Sequence, residues 1–170
     1  MLDTLPRPAG AADQDFLWTM LFEASHAAEQ GFSSTDGIRS VPALARYAEN
    51  WGGSVDDLGV VGQAPDGRLQ GAAWLRRFTA ATAAYGYIDD DTPELVIAVA
   101  SAARGTGLGT ALLTRLLQDA RPRCRGVCLN VRTENPAHRL YGRLGFVDVA
   151  GSETTNWAGT TSVTMVLRFP

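Results

Sequence analysis

The run Val99-Ala100-Ser101-Ala102-Ala103-Arg104-Gly105-Thr106-Gly107-Leu108-Gly109-Thr110 joins an apolar segment to an amphipathic one. Before it, residues 94–100 are nearly all apolar, which suits a central strand buried on both faces. After it, Leu108, Leu112, Leu113, Leu116, Leu117 and Ala120 recur at three- and four-residue steps, so they share one side of a helix. Between strand and helix stand three glycines at alternate positions, Gly105, Gly107 and Gly109. Such a turn can cradle an anion. Free N–H groups at a helix N-terminus point outward, the helix dipole favours negative charge, and glycine brings no Cβ to hold a phosphate off. It can equally be a tight connection with no ligand, and the glycines alone leave both readings open. A P-loop would end in Gly-Lys-Ser or Gly-Lys-Thr, and this turn has no lysine. A dinucleotide fold would place its last glycine one position later, in the first strand–helix unit.

Reading outward from this turn, the chain alternates strand and helix patterns. A short strand is expected near residues 2–5, ended by Pro6 and Pro8. Phe16, Leu17, Met20, Leu21, Ala24, Ala27 and Ala28 give one apolar helix face. Residues 31–37 read as a loop, and Ser40 with Pro42 as the start of a short helix reaching about Trp51. A hairpin follows, with strands at 58–61 and 69–78 around Pro65-Asp66-Gly67. Beyond the central turn, Val127, Leu129 and Val131 alternate as a strand. Asn135-Pro136 opens a helix that Gly145 ends. Strands at 146–149 and 163–169 close the chain, with Val163, Met165, Leu167 and Phe169 on one face. The order predicts an α/β fold, one domain over residues 1–170, with a mixed central sheet flanked by helices.

Composition narrows the function classes. The 170 residues are 45% hydrophobic and 19% charged, as in ordinary globular domains. A net charge of -3 gives no basic stripe for a phosphate backbone, so nucleic acid is not an expected partner. Arg121, Arg123 and Arg125 read as a solvated corner. No apolar run is long enough to span a bilayer, and the first ten residues lack a secretion-signal pattern. Cys124 and Cys128 have no Cys or His pair at metal spacing, so no metal is expected and a reduced, cytoplasmic setting is the default.

With these elements in order, the chain resembles the GNAT superfamily of N-acetyltransferases. Arg104-x-x-Gly107-x-Gly109 is similar to that family's acyl-CoA pyrophosphate motif, and Leu140-Tyr141-x-x-x-Gly145-Phe146 to its second hallmark. The resemblance implies acetyl-CoA as cosubstrate. It implies that the backbone N–H groups of Arg104, Gly105, Thr106, Gly107, Leu108, Gly109 and Thr110 bind the pyrophosphate. It implies that the main chain of Ile97, Ala98 and Val99 pairs with the pantetheine arm and polarises the thioester carbonyl. In this family the sheet splays beside that strand, which frees its backbone groups for ligand.

The same resemblance makes Tyr141 the acid that protonates the departing thiolate. Against it stands a plain core tyrosine with a satisfied hydroxyl. Asn135 lies six residues before Tyr141, where many relatives carry an asparagine seven before; it either contacts pantetheine or caps the helix. The general base is the weakest point. Glu94 starts the strand, but relatives with a carboxylate there place it where this chain has Pro93, and alternation turns Glu94 to the other face. Asp89, Asp90 and Asp91 read as a loop. His26 and His138 have no evident catalytic partner in the sequence.

The expected activity is therefore N-acetyl transfer to an amine by direct attack in a ternary complex. The alternative is an acyl-CoA-binding sensor or partner protein with little turnover. A nucleotide-binding module of another kind ranks last. The acceptor, a small-molecule amine or a protein or peptide amine, is not legible. A homodimer through the apolar last strand rests on family analogy alone.

Overall fold

The structure is a computed structural model that describes residues 3–170. It is α/β with a mixed sheet, and its residues group into two compact units. The first holds the chain up to Arg76 and Val96–Asp119; the second holds Arg77–Leu95 and Ala120–Pro170.

In the first unit, β1 (Leu5–Pro8), β2 (Leu58–Gln63), β3 (Leu69–Arg76) and β4 (Glu94–Val99, of which the last four residues belong here) are neighbours in that order. β1 pairs antiparallel with β2, from Leu5 opposite Gln63 to Pro8 opposite Val60. The expected strand at 2–5 thus lies later, with both prolines inside it, and Leu2 is outside the described residues. An edge strand tolerates them: Pro6 and Pro8 stand two apart and turn the same backbone edge away from β2. β2 and β3 form the expected hairpin, and Gly67 takes the left-handed backbone (φ +87°) that its turn needs.

Helices α1 (Gln14–Ala24), α2 (Thr35–Arg39), α3 (Pro42–Ala45) and α4 (Leu108–Ala120) belong to the same unit. α1 stops before Ala27 because His26 is left-handed, which ends the helical ladder. The predicted loop at 31–37 runs into α2, where Gly37 lies against the Phe32 ring; a Cβ there would meet the ring at 2.5 Å. Pro42 opens α3 as expected, but Ser40 does not cap it. The Ser40 hydroxyl donates back to the Gly37 carbonyl at 2.8 Å, and α3 gives way to turns after Ala45. Leu108, Leu112, Leu113 and Leu116 of α4 are fully buried. Gly71 of β3 lets α4 approach: a Cβ there would lie 3.0 Å from Leu112 and 3.2 Å from the Ala98 carbonyl oxygen.

In the second unit, the start of β4 pairs parallel with β5 (Gly126–Arg132), with Glu94 opposite Cys128. β5 pairs antiparallel with β8 (Thr161–Arg168), and β6 (Val147–Asp148) and β7 (Thr154–Thr155) lie on the other side of β8. β7 was not anticipated, β6 is two residues rather than four, and β8 begins two residues earlier than the apolar pattern. β8 thus has β5 along one side and, at residues 161–162 and 165–166, β7 and β6 along the other. Helix α5 (Ala137–Arg143) ends at Gly145, left-handed at φ +96° as predicted. Val127, Leu129, Val131, Phe146, Val163 and Met165 form the core of this unit.

Candidate active site

The cradle is built from the end of β4 through α4, all in the first unit. A short 3-10 turn at Ser101–Ala103 lifts the chain out of the strand. Gly105 (φ +73°) and Gly107 (φ +89°) then take left-handed backbone, which any other residue adopts at a cost. The Thr106 hydroxyl pins the loop by donating to the Ala103 carbonyl at 2.7 Å. The Gly107 carbonyl accepts from the Ala111 N–H at 3.1 Å and so starts the helical ladder.

What remains is a row of donors. Among the described residues, the N–H groups of Gly105, Thr106, Gly107, Leu108, Gly109 and Thr110 donate to no protein acceptor. The space beside them is open: a Cβ at Gly105 or Gly107 would meet no heavy atom within 4 Å, and one at Gly109 would meet only Val99 Cγ2, at 3.8 Å. Consecutive donors at a helix N-terminus, with no side chains over them, suit an anion such as a pyrophosphate. Leu108 contributes its N–H alone, since its side chain is core. Ile97, Ala98 and Val99 sit half-buried at the end of β4, unlike Glu94, Leu95 and Val96, which are buried.

Arg104 does more than mark the rim. Its guanidinium donates to the Val99 carbonyl at 3.3 Å (Nε) and pairs with Glu23 of α1 at 3.1 Å (Nη2). Glu23 is a neighbour of the cradle that sequence reading missed. The two residues are 81 positions apart, and no local signal joins them.

Tyr141 and Asn135 belong to the second unit. The Tyr141 ring packs on Phe146, centroids 5.9 Å apart, and the residue is 8% exposed. Its hydroxyl makes no hydrogen bond among the described residues. That is half of the plain core reading: the ring is packed, but the hydroxyl is not satisfied by protein. Burial pushes its pKa up to about 12, so it carries its proton at neutral pH. Asn135 acts as a cap from one position earlier than expected: its Oδ1 accepts from the Ala137 N–H at 2.9 Å, while Pro136 directly precedes the helix. Its amide nitrogen stays available for other use.

Three carboxylates near β4, Glu94, Asp89 and Asp90, have structural duties. Glu94 is 2% exposed, and its Oε1 accepts from the Gly86 N–H at 3.0 Å. Asp89 pairs with Arg168 at 3.2 Å; the hydroxyl of Thr92, then Arg168, holds its pKa below the usual carboxylate range. Asp90 accepts from the Ala80 N–H at 3.0 Å and from the Tyr87 hydroxyl. Cys128 lies under the Thr92 and Pro93 carbonyls, and burial pushes its thiol pKa far up, with Glu94 adding to the rise. Burial also raises Cys124. Neither thiol is an activated nucleophile.

Residues 65–148 match the family model described as acetyltransferase (GNAT) domain, a span that includes both the cradle and Tyr141. A mycothiol acetyltransferase from Kineococcus radiotolerans is 35% identical over 144 residues, covering 82% of this chain and 41% of that protein. The chain therefore spans less than half the length of this curated relative. Among solved structures, the chain resembles yncA from Salmonella typhimurium, an acetyltransferase with its cofactor acetyl-CoA. The TM-score is 0.70 at 21% identity, covering 99% of this chain and 95% of that one. It also resembles spermidine N-acetyltransferase from Vibrio cholerae in complex with CoA and spermine. There the TM-score is 0.63 at 19% identity, covering 98% and 95%. With the strand, the glycine cradle and the Tyr141 helix in that family's order, the chain belongs to the GNAT acetyltransferase family.

Proposed function

We propose that the chain, working as one domain over residues 1–170, transfers an acetyl group from acetyl-CoA to a primary amine. The observation that carries this reading is the row of six unpartnered N–H groups over open space at the start of α4. Gly105 to Thr110 hold the pyrophosphate through the backbone, and the Arg104 guanidinium adds charge at the mouth. The main chain of Ile97, Ala98 and Val99 orients the acyl arm. When bound, the thioester supplies an activated acyl carbon. Tyr141, protonated at neutral pH, gives its proton to the departing sulfur. Asn135 donates from its amide to the pantetheine arm while its oxygen caps α5.

The curated relative is a mycothiol acetyltransferase and one structural neighbour a spermidine acetyltransferase. Their acceptors differ, so the class we assign is an amine, small or on a peptide, and no single compound. Reaction in the cytoplasm fits the free thiols.

Attack is direct, because both cysteines are held in their unreactive form by burial. Two-substrate kinetics tests this. We expect initial-velocity lines that intersect, and no label left on the protein after radiolabelled acetyl-CoA alone. Parallel lines with retained label would establish an acyl-enzyme instead.

A further inference from the structure

An ammonium must lose a proton before it attacks, and three carboxylates near β4 are committed elsewhere: Glu94 to Gly86, Asp89 to Arg168, Asp90 to Ala80 and Tyr87, while Asp91 is exposed on the loop before the strand. His138 uses its Nε2 on Asp148 at 2.8 Å. One imidazole remains with its outer nitrogen open. His26 follows α1 at the left-handed position of the helix end (φ 55°, ψ 38°). Glycine is the inexpensive residue at such a position, so a histidine there keeps a side chain where the backbone gains nothing from one. Its Nδ1 lies 3.3 Å from Glu29 Oε1, so the carboxylate faces one side of the ring. His26 Nε2 makes no hydrogen bond among the described residues.

The same turn is fastened to the cradle. Glu23, three residues before His26, pairs with Arg104 at 3.1 Å, and Arg104 also donates to the carbonyl of Val99 at the end of β4. All of these residues lie in the first unit. The charged group beside the imidazole is Glu29, and the Glu23–Arg104 pair begins three residues earlier in the chain.

We propose that His26 is the general base, with Glu29 orienting it. The inference rests on the acetyl-transfer reading above. His26 Nε2 takes one proton from the acceptor ammonium. The amine nitrogen then forms the C–N bond as the C–S bond breaks. The second nitrogen proton leaves to solvent, Tyr141 protonates the thiolate, solvent reprotonates Tyr141, and His26 releases its proton to solvent. Ammonium and acetyl thioester thus give amide, thiol and one released proton.

The test uses the full chain and a panel of spermidine, glucosamine, kanamycin, lysine and peptides with free N-termini and lysines, with thiol release as readout. Wild-type turnover on at least one amine is the first requirement. Its absence from the whole panel defeats the acetyl-transfer reading, and this inference with it. Given turnover, His26→Asn keeps a residue that accepts the left-handed backbone, so thermal melting and CoA affinity stay near wild type. Its kcat/KM falls on the order of a hundredfold. His26→Gly loses a similar factor and recovers with added imidazole, which a structural role would not allow. Near-normal turnover in folded His26→Asn, or a loss in His26→Gly that imidazole does not restore, overturns the assignment.

Discussion

At the scale of single residues, Tyr141 carries the sharpest contrast between packing and chemistry. Its ring has a partner in Phe146, and its hydroxyl has none among the described residues. Removing a hydroxyl that makes no protein hydrogen bond is close to neutral for folding, because no internal hydrogen bond is lost. Tyr141→Phe is therefore expected to melt at about the wild-type temperature and to bind CoA about as well. Its turnover is expected to fall on the order of a hundredfold, the usual worth of one general acid. The fall should shrink for a thioester whose thiol has a lower pKa. Because burial raises the hydroxyl to about 12, the acid stays protonated as pH rises through neutral and mildly alkaline values. Any alkaline loss of activity in that range must come from another group. Near-normal turnover of Tyr141→Phe, measured where chemistry limits the rate, would make the hydroxyl structural.

Among elements, the β4–α4 connection decides most. Gly105 and Gly107 are poor places to probe it, because their left-handed backbone strains any side chain regardless of ligand. Gly109 has no such constraint. It lies in the first turn of α4, and its Cβ would meet only Val99 at 3.8 Å. Gly109→Ala is expected to hold or raise helix stability, by up to about 1 kcal/mol. If the row of N–H groups binds pyrophosphate, the new methyl lies over it, and CoA affinity falls about tenfold or more, roughly 1.4 kcal/mol. Calorimetry of CoA binding, alongside thermal melting, separates the two effects. Unchanged affinity would mean that the glycine serves the helix alone.

Elements also show what was legible in the sequence. β4, α4 and the hairpin were, because each has a clear apolar pattern beside a glycine or proline, and α5 was legible from its Asn135-Pro136 start and Gly145 end. β1 was misplaced because proline reads as a stop, whereas an edge strand has one side on which the missing N–H is harmless. α1 was read too long because Ala27 continues its apolar face, although it sits in the next turn, beyond the left-handed His26. β7 is two residues long, too short for any period to register. In the site, motif residues were legible as types at fixed spacing. The Arg104–Glu23 pair and the duties of Glu94, Asp89 and Asp90 were not. They are set by tertiary contacts between positions far apart or by loop geometry, which no local pattern encodes.

For the whole molecule, the central claim is a reaction rather than a binding event. Family membership supports both transfer and a silent acyl-CoA binder, and the cradle alone serves either. The amine-dependent release of thiol separates them. The purified chain is incubated with acetyl-CoA and the amine panel, free thiol is followed continuously, and the acceptor is weighed by mass spectrometry. The account predicts thiol release that depends on one or more amines, saturates in both substrates, and yields acetylated amine in equal amount. Tight CoA binding with no release above the amine-free rate, across the whole panel, would contradict it.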